Sequence, residues 1–342
     1  FFSLIFVFAA SIASAAEVTD LYQAQAPAES QTEEERQRLA PDLLKQVVIK
    51  VVGDRRAVEQ ADISALVTDA ERYIDQYYYQ QILNMDSDPP EQQLMLTLDF
   101  NANAINTALQ RIGLPVWDKI RPESLIWVAI EYEGNQQLIG EGDEHSLLLQ
   151  IDKAAKNRGI PLLIPLMDLE DQTQLTFNDV STGNNTAVKQ ASERYGASVL
   201  VTARLRGNAE STEISWQAIL TDDVERWSSQ GDVQTAIRTG VDALADHLGR
   251  RLNMSISTSG EAELAIQVSG VNDYEGYSRI MDYLESLQAV SDIKVGSLGS
   301  ESLDLVLFIQ AEPERFRQLL SIGGVIQPEI NDTTGLQYRL LP

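Results

Sequence analysis

The chain has 342 residues, of which 44% are hydrophobic and 23% charged, so it can bury the cores of two or three ordinary domains. It has no cysteine and two histidines, which excludes disulfides, thiolate metal sites, cysteine nucleophiles and histidine-rich metal sites. Its 26 basic and 51 acidic residues give a net charge of −25, which repels nucleic acid phosphates and anionic lipid head groups. The acidic residues are spread along the chain, so we interpret the charge as promoting solubility. Attraction to a basic partner is the alternative interpretation.

Residues 1–16 have the pattern of a secretory signal peptide, an uncharged apolar run followed by small residues. Cleavage is predicted after Ser14-Ala15-Ala16 and before Glu17. A buried N-terminal helix is the alternative interpretation. A transmembrane helix needs about 20 apolar residues, and neither this run nor any later stretch provides them. The sequence therefore predicts an exported mature chain without a transmembrane segment.

The first predicted module, residues 17–120, has the element order βααββα. Its long helix carries an apolar stripe at helical spacing, and Gly53 is its predicted C-cap. Pro41 lies inside this helix and predicts a kink or a division into two helices. Three consecutive tyrosines at 77–79 favour a half-buried strand over an aromatic stacking platform. The predicted elements are strand 18–24, helices 31–52 and 62–72, strands 74–83 and 94–100, and helix 102–112.

The second predicted module, residues 121–253, has the order βαβαβββα. A strand, a helix and a strand in succession predict a right-handed parallel crossover. Asp222-Asp223 marks the turn of a predicted hairpin. The predicted elements are strand 125–130, a helix capped by Asp143 and ending at Gly159, strand 160–167, a helix capped by Asn184 or Asn185, strands 198–205, 214–220 and 225–233, and helix 234–252.

The third predicted module, residues 254–342, has the order βαββαβ, which is typical of a ferredoxin-like fold. Its predicted elements are strand 262–268, a helix capped by Asp273, strands 293–298 and 303–309, a helix that begins at Pro313, and strand 336–341. The complete chain is thus expected to be an α/β (α+β) protein built from three small modules in series.

One acidic cluster is the best candidate for binding or chemistry. Asp168, Glu170 and Asp171 follow predicted strand 160–167, and the carboxyl ends of parallel strands are where α/β sheets place ligands. These carboxylates could hold a divalent cation or act in acid–base catalysis. The run lacks the glycine-centred pattern of a calcium loop, so an exposed acidic loop is the favoured alternative.

The histidines and the known catalytic motifs add no stronger candidate. His145 follows an acidic run and fits the first turn of a helix, while His247 fits the flank of a long helix. There is no nucleophile elbow, phosphate loop or dinucleotide-binding motif. No basic patch with interleaved aromatic residues suggests nucleic-acid binding. We therefore predict no catalytic or cofactor-binding residue and no cofactor.

A short connector is expected between the first two modules. Glycine and proline end the preceding helix, and a second proline precedes the next strand. Trp117 is expected to be buried at the junction of the modules, and Trp127 along the first strand of the second module. A deep pocket beside an exposed Trp117 would instead indicate a ligand site. The predicted junction residues are Gly113, Pro115, Trp117, Arg121, Pro122 and Trp127.

Three stretches resemble the signature of a bacterial envelope family, domain of unknown function 2066. They are the junction residues just named together with Leu125, the run VVIKVVGDR at 47–55, and the pattern A-x-x-Y-I-x-Q-Y-Y-Y at 70–79. The resemblance extends over roughly residues 17–253. It implies an exported periplasmic protein of a Gram-negative bacterium, and it implies no activity, cofactor or catalytic residue.

Two hypotheses for the function follow. Small α/β modules in series after a signal peptide are also similar to envelope assembly proteins such as the TolB amino-terminal domain, by analogy of fold alone. The first hypothesis is a non-enzymatic periplasmic interaction or assembly factor whose partners are envelope proteins. The alternative is a small-ligand or divalent-cation binding protein, or a hydrolase, that uses Asp168, Glu170 and Asp171. The absence of a recognisable catalytic motif favours the first.

Overall fold

A computed structural model describes residues 15–84, 91–117, 119–132, 134–143, 146–208, 210–220, 223–252, 262–287, 289–299, 302–322, 325–329, 332 and 336–341. These residues have an α/β fold with four sheets. No helix in the described ranges is long and apolar enough to cross a membrane.

The N-terminal part of the chain packs one long helix against a three-stranded antiparallel sheet of order β2-β4-β3. Alternate residues of β4 point into this core, including Leu96, Leu98 and Phe100. The elements are β1 (Ala15–Glu17), β2 (Gln23–Pro27), α1 (Glu33–Val52), α2 (Arg55–Gln60), α3 (Ser64–Thr68), β3 (Ile74–Asn84), β4 (Glu91–Phe100), α4 (Ala102–Arg111) and β5 (Ile120–Pro122).

Helix α1 is continuous through Pro41, so the predicted division into two helices is wrong. A proline inside a helix removes one hydrogen bond and costs about 3 kcal/mol. The side chains on both sides of it, Ala40 and Leu43 among them, are fully buried, and their burial outweighs that cost. Thr32 caps the first turn, and Gly53 ends the helix in the left-handed conformation.

Strand β1 lies apart from the other strands of this region and pairs antiparallel with β5. Ala15 pairs with Pro122 and Ala16 with Arg121, although the signal-peptide prediction places both alanines before the cleavage site. Glu17 continues the pairing opposite Ile120. The strand predicted at 18–24 is displaced to Gln23–Pro27.

The central sheet has the order β11-β10-β9-β6-β7, with β8 also paired to β6. Strands β6, β8 and β9 are parallel, and the remaining pairs are antiparallel. The elements are β6 (Ser124–Tyr132), β7 (Asn135–Ile139), α5 (Ser146–Asn157), β8 (Leu162–Leu163), α6 (Leu169–Gln174), α7 (Phe177–Thr182), α8 (Asn185–Ser192), β9 (Val199–Gly207), β10 (Thr212–Leu220), β11 (Asp223–Gly231) and α9 (Val233–Leu252).

The strand predicted at 160–167 is reduced to the two residues of β8. Strand β7, which the sequence did not predict, pairs with β6 from Val128 to Tyr132 and leaves β8 only Ser124 and Leu125. Pro161 and Pro165 flank β8, and proline has no backbone N–H to donate to a sheet. The chain therefore leaves the sheet before it reaches the acidic cluster.

Both faces of the central sheet are covered, which explains the unbroken apolar run of β6. One face packs against α5 and α9 and includes Ile126 and Val128. The other packs against α7 and α8 and includes Leu125 and Trp127.

The C-terminal part forms a five-stranded sheet of order β13-β14-β12-β16-β15. The predicted ferredoxin-like order is not confirmed, because the extra edge strand β15 pairs antiparallel with β16. As a result β16 runs parallel to β12, where the predicted fold has an antiparallel pair. The elements are β12 (Ala262–Ser269), α10 (Tyr274–Ser286), β13 (Val290–Leu298), β14 (Ser302–Ile309), α11 (Pro313–Ile322), β15 (Ile326–Pro328) and β16 (Gln337–Leu340).

Candidate functional site

The acidic cluster at 168–171 forms the start of helix α6 and is neutralised by an arginine. The Asp168 carboxylate caps the helix by accepting hydrogen bonds from the backbone N–H groups of Glu170 and Asp171. Arg194 lies 2.8 Å from Asp168, 3.4 Å from Glu170 and 3.3 Å from Asp171. The hydrogen bond from Arg194 holds the pKa of Asp168 below its usual range. A guanidinium therefore occupies the centre that a cation would need.

The side chain of Asp171 is buried and serves the backbone of the preceding loop. It accepts hydrogen bonds from the Tyr195 hydroxyl at 2.6 Å and from the Met167 N–H at 2.9 Å. Met167 has a positive φ of 55°, a conformation that a non-glycine residue adopts only when its surroundings hold it there. Burial and, to a smaller extent, the hydrogen bond to Asp171 raise the pKa of Tyr195 to about 12. These contacts indicate a structural role for Asp171.

No group of three or more histidine, aspartate or glutamate side chains within the described ranges is arranged to hold a metal ion. The cation hypothesis for Asp168, Glu170 and Asp171 has no direct test and stays a prediction, with Arg194 as the observation against it. His145 and Asp222 lie outside the described residues. His247 packs its ring against Trp227 and contacts Arg250, and burial lowers its pKa.

Of the predicted junction residues, Arg121 and Trp117 contact each other, and the side chain of Arg121 is fully buried. Its guanidinium donates to the carbonyl oxygens of Lys50 at 2.8 Å, Arg158 at 3.0 Å and Gly159 at 2.9 Å. It also lies over the ring of Trp117, 4.0 Å from the centroid. Because Lys50 is in the last turn of α1 and Gly159 follows α5, the cation lies at the negative ends of two helices.

Trp117 and Trp127 are both buried, in the two separate apolar clusters that cover the central sheet. Trp117 packs so closely on Gly53 that a Cβ there would lie 2.5 Å from its ring. The Trp127 indole donates to the Ser192 hydroxyl at 2.9 Å. These contacts make the junction a packed structural centre and leave Trp117 without access to solvent.

A second buried arginine joins α1, α5 and α9. Arg158 pairs with Asp242 at 2.9 Å and Asp246 at 2.6 Å, and it donates to the carbonyl oxygen of Gly53. Arg55, just after α1, also pairs with Asp242. In the sequence Arg158 stands next to Gly159 at the end of a predicted helix, a position that does not reveal these partners. Asp242 and Asp246 are four positions apart and so lie on one face of α9. This spacing, together with an arginine at the end of α5, is the signal that could have suggested the pairing.

Strand β3 presents an exposed apolar edge. It has 11 residues and, among the described strands, lies at one edge of its sheet beside β4. Side chains on both of its faces are accessible: Tyr77 is 50% exposed, Tyr78 47%, Ile82 38% and Leu83 56%. Asp75 is its single charged residue. Such an edge offers unpaired backbone groups and apolar side chains to another strand.

The other described edge strands of the larger sheets are short, charged or irregular within the strand, whereas the register shift and the charge of β3 lie at its first residues, Ile74 to Gln76. Strand β2 is short and ends in Pro27, and β7 and β15 have five and three residues. Strand β11 contains Asp223, Glu225 and Arg226 within nine residues. Strand β13 has two register irregularities and the charged Lys294. Natural proteins use short strands, prolines, charges and bulges to prevent unwanted strand pairing, so β3 differs from the remaining edges.

A family model described as a domain of unknown function (DUF8605) matches residues 15–118. The match is consistent with a domain of unknown function in this part of the chain, and the predicted family, domain of unknown function 2066, is not confirmed. No curated protein matches the chain.

Two solved structures show a weak likeness to this chain. One is the LpoB C-terminal domain from Salmonella enterica, with 20% identity and a TM-score of 0.23, covering 37% of this chain and 90% of that one. The other is TolB from Acinetobacter baumannii, with 11% identity and a TM-score of 0.20, covering 44% of this chain and 33% of that one. The match thus spans about a third of TolB. At these scores neither likeness supports an argument about function.

Proposed function

We propose that this protein is a non-enzymatic interaction protein that binds an extended segment of a partner along β3. The observation that carries the proposal is the contrast between β3 and every other described edge strand of the larger sheets. A long apolar edge without prolines or lysines is a liability unless a partner uses it. Strand addition would satisfy its outward N–H and C=O groups and cover its exposed side chains.

The two faces of β3 define what the partner must supply. Tyr77 and Leu83 lie on the face toward α1, and Tyr78 and Ile82 lie on the opposite face. An added strand with apolar residues at neighbouring positions would contact both pairs. Arg36 lies 4.5 Å above the Tyr77 ring and is flanked by Glu33 and Glu71, so this end of the edge is already charge-balanced.

The cellular setting forms part of the same proposal. The apolar run followed by small residues at 1–16 supports export, and the resemblance to domain of unknown function 2066 supports the periplasm of a Gram-negative bacterium. The partner is then an envelope protein. The proposed modules are residues 17–120, 121–253 and 254–342, with β3 in the first.

Site-specific crosslinking in cells tests the proposal. A photo-crosslinking amino acid at Gln80, an exposed position between Tyr78 and Ile82, should form an adduct with an envelope protein. The double variant Tyr78→Lys and Ile82→Lys should reduce that adduct about tenfold or more, because two lysines on the edge oppose strand pairing.

The matched control places the same charges on another edge strand. The variant Ser228→Lys and Gln230→Lys on β11 should leave the adduct at Gln80 unchanged. An adduct that persists in the β3 variant would show that β3 is not the contact. An adduct with the mass of two copies of this chain would show that the edge mediates self-association and does not bind an envelope partner.

A further inference from the structure

A pocket lies at the open end of the central sheet, where the parallel strands β6 and β9 end. Its volume is about 450 Å³, and its walls come from the ends of these strands and from the first turns of α5 and α9. The chain leaves β6 toward β7 and β8, and it leaves β9 in the opposite direction toward β10. Open α/β sheets bind ligands in the crevice that such a divergence creates at the carboxyl ends of the strands.

The size of this pocket suits a small molecule. Ligand pockets in proteins usually measure about 300–1,000 Å³. A groove of about 320 Å³ runs on between α5 and α9 and shares Ser146 and Gln150 with the pocket. Lys153 and Arg238 line this groove, so the binding argued below concerns the pocket alone, which could hold a molecule about as large as a dipeptide.

The floor of the pocket is aliphatic. Ile130 and Leu205 come from the sheet, and Leu147 and Val233 come from the helices. Ile130 and Leu205 are buried in the apolar cluster between the central sheet and helices α5 and α9, so packing on their other sides holds them in place. This floor would accept an aliphatic group of a ligand.

The charges of the lining cancel. Among the described lining residues the charged side chains are Glu131 and Arg206, which pair with each other at 3.1 Å. Glu131 also accepts a hydrogen bond from Arg204 at 2.6 Å, which contributes to lowering its pKa. A charged ligand would have to compete with these pairs, so the lining favours an uncharged one.

The remaining polar groups of the lining include several carboxamides, which both donate and accept hydrogen bonds. Asn135 and Gln137 lie along β7 at the rim. Gln150 lies where the pocket meets the groove and lines both. The carboxamides of the lining can bond the amide or hydroxyl groups of a ligand.

We propose that this pocket binds a small uncharged molecule that joins an aliphatic group to amide or hydroxyl groups. The aliphatic group would lie on Leu147 and Leu205, and the polar groups would bond Gln150 and the rim. This binding is separate from strand addition at β3, which lies on a different sheet.

A matched pair of probes tests the proposal on the full chain. N-acetyl-leucinamide is neutral, whereas N-acetyl-leucine has the same shape and carries a carboxylate. Titrations followed by NMR should show saturable binding of the amide, and about tenfold weaker binding of the acid. Absence of saturation by the amide at about 10 mM, or tighter binding of the acid, would overturn the proposal.

Variants locate the binding. Leu147→Trp fills the pocket and should abolish binding of the amide, and Gln150→Leu should weaken it about tenfold through loss of one hydrogen bond. Gln190→Leu, at an exposed position of α8, is the control and should bind like the original chain. Should Leu147→Trp not fold, Gln150→Leu decides the outcome. Equal affinity of the Gln150→Leu and Gln190→Leu variants would place the probe elsewhere. The β3 lysine variant should bind the amide normally, which keeps this test independent of strand addition.

Discussion

At the scale of single residues, Arg121 shows how carbonyl oxygens at helix ends and an aromatic ring help to hold a buried charge. Its donors are directed at carbonyl oxygens near the ends of α1 and α5, and its plane covers the Trp117 ring. Carbonyl groups at helix ends carry partial negative charge, and the indole face adds a further favourable contact. The sequence marked Arg121 as part of the connector, but the three acceptors come from segments up to 71 positions away.

Replacing this arginine should therefore be costly. Arg121→Met keeps much of the volume but leaves buried carbonyl oxygens without donors, and we expect the free energy of unfolding to fall by about 3–5 kcal/mol. Urea denaturation followed by tryptophan fluorescence measures this loss. Arg72→Met, at an exposed ion pair, should change stability by less than about 1 kcal/mol. Equal effects of the two variants would contradict the central role of Arg121.

At the scale of elements, helix α1 and strand β3 are specified locally to different extents. The apolar stripe, the acidic first turn and Gly53 predicted α1 almost to its ends, while tertiary burial decided that Pro41 does not divide it. The three tyrosines and the following residues predicted β3. Its place at the edge of a sheet depends on which strands pair, and no local pattern specifies that.

The first turn of α1 should contribute to stability in a pH-dependent manner. Glu35 accepts hydrogen bonds from Arg38 and from the backbone N–H of Glu29, and these bonds lower its pKa from 4.5 to about 2. A group with a lowered pKa in the folded state stabilises the fold above its unfolded pKa and loses that contribution as the pH falls through the folded value. The stabilisation should therefore be complete above about pH 5 and absent near pH 2.

Comparison with a neutral isostere isolates this effect. Glu35→Gln should unfold at lower urea concentration than the original chain at about pH 6, and the difference should shrink as the pH approaches 2. Glu34→Gln is the control, because this neighbouring side chain is exposed. A difference between Glu35→Gln and the original chain that stays constant from pH 6 to pH 2 would refute the assignment.

At the scale of the whole molecule, the N-terminal region and the region around the central sheet are joined through buried polar contacts as well as packing. Arg158 bridges the end of α1 to Asp242 and Asp246 of α9, and Gly53 lies directly against Gly249. A buried arginine with two carboxylates is costly to break from one side, because the remaining charges stay buried. We infer that residues 17–252 unfold together.

This coupling can be measured. Arg158→Met should lower the free energy of unfolding by about 3–5 kcal/mol, and the original chain should show one transition for both regions. Tryptophan fluorescence reports unfolding of the junction and of the region around the central sheet. Tyrosine crosslinking or hydrogen exchange at β3 reports unfolding of the N-terminal region. Arg226→Met on β11, where no described ion pair holds the side chain, is the control. Separate transitions of the two regions in the original chain would exclude the coupling.

Prediction from sequence succeeded where the information is local. Periodicity and caps identified the long helices α1 and α9 and the alternating strand β4, and the overall α/β class is confirmed. It failed for β8 and for the last strand pair, because β7 and β15 compete for neighbouring strand edges. The acidic cluster was proposed as a site because it follows a predicted strand in the sequence. The arginine that pairs with it, Arg194, lies in a later segment that follows a helix.

The sequence by itself determined the α/β class, the ends of the main helices and the absence of cysteine chemistry, because spacing, caps and composition act over a few residues. Only the tertiary structure decided which strand lies unprotected at an edge, where Arg121 and Arg158 find their acceptors, and that aliphatic and carboxamide side chains from five separated segments meet in one pocket. These features depend on pairing and packing between distant segments, whose free energies are comparable for many alternative arrangements and are settled only when the whole core is buried.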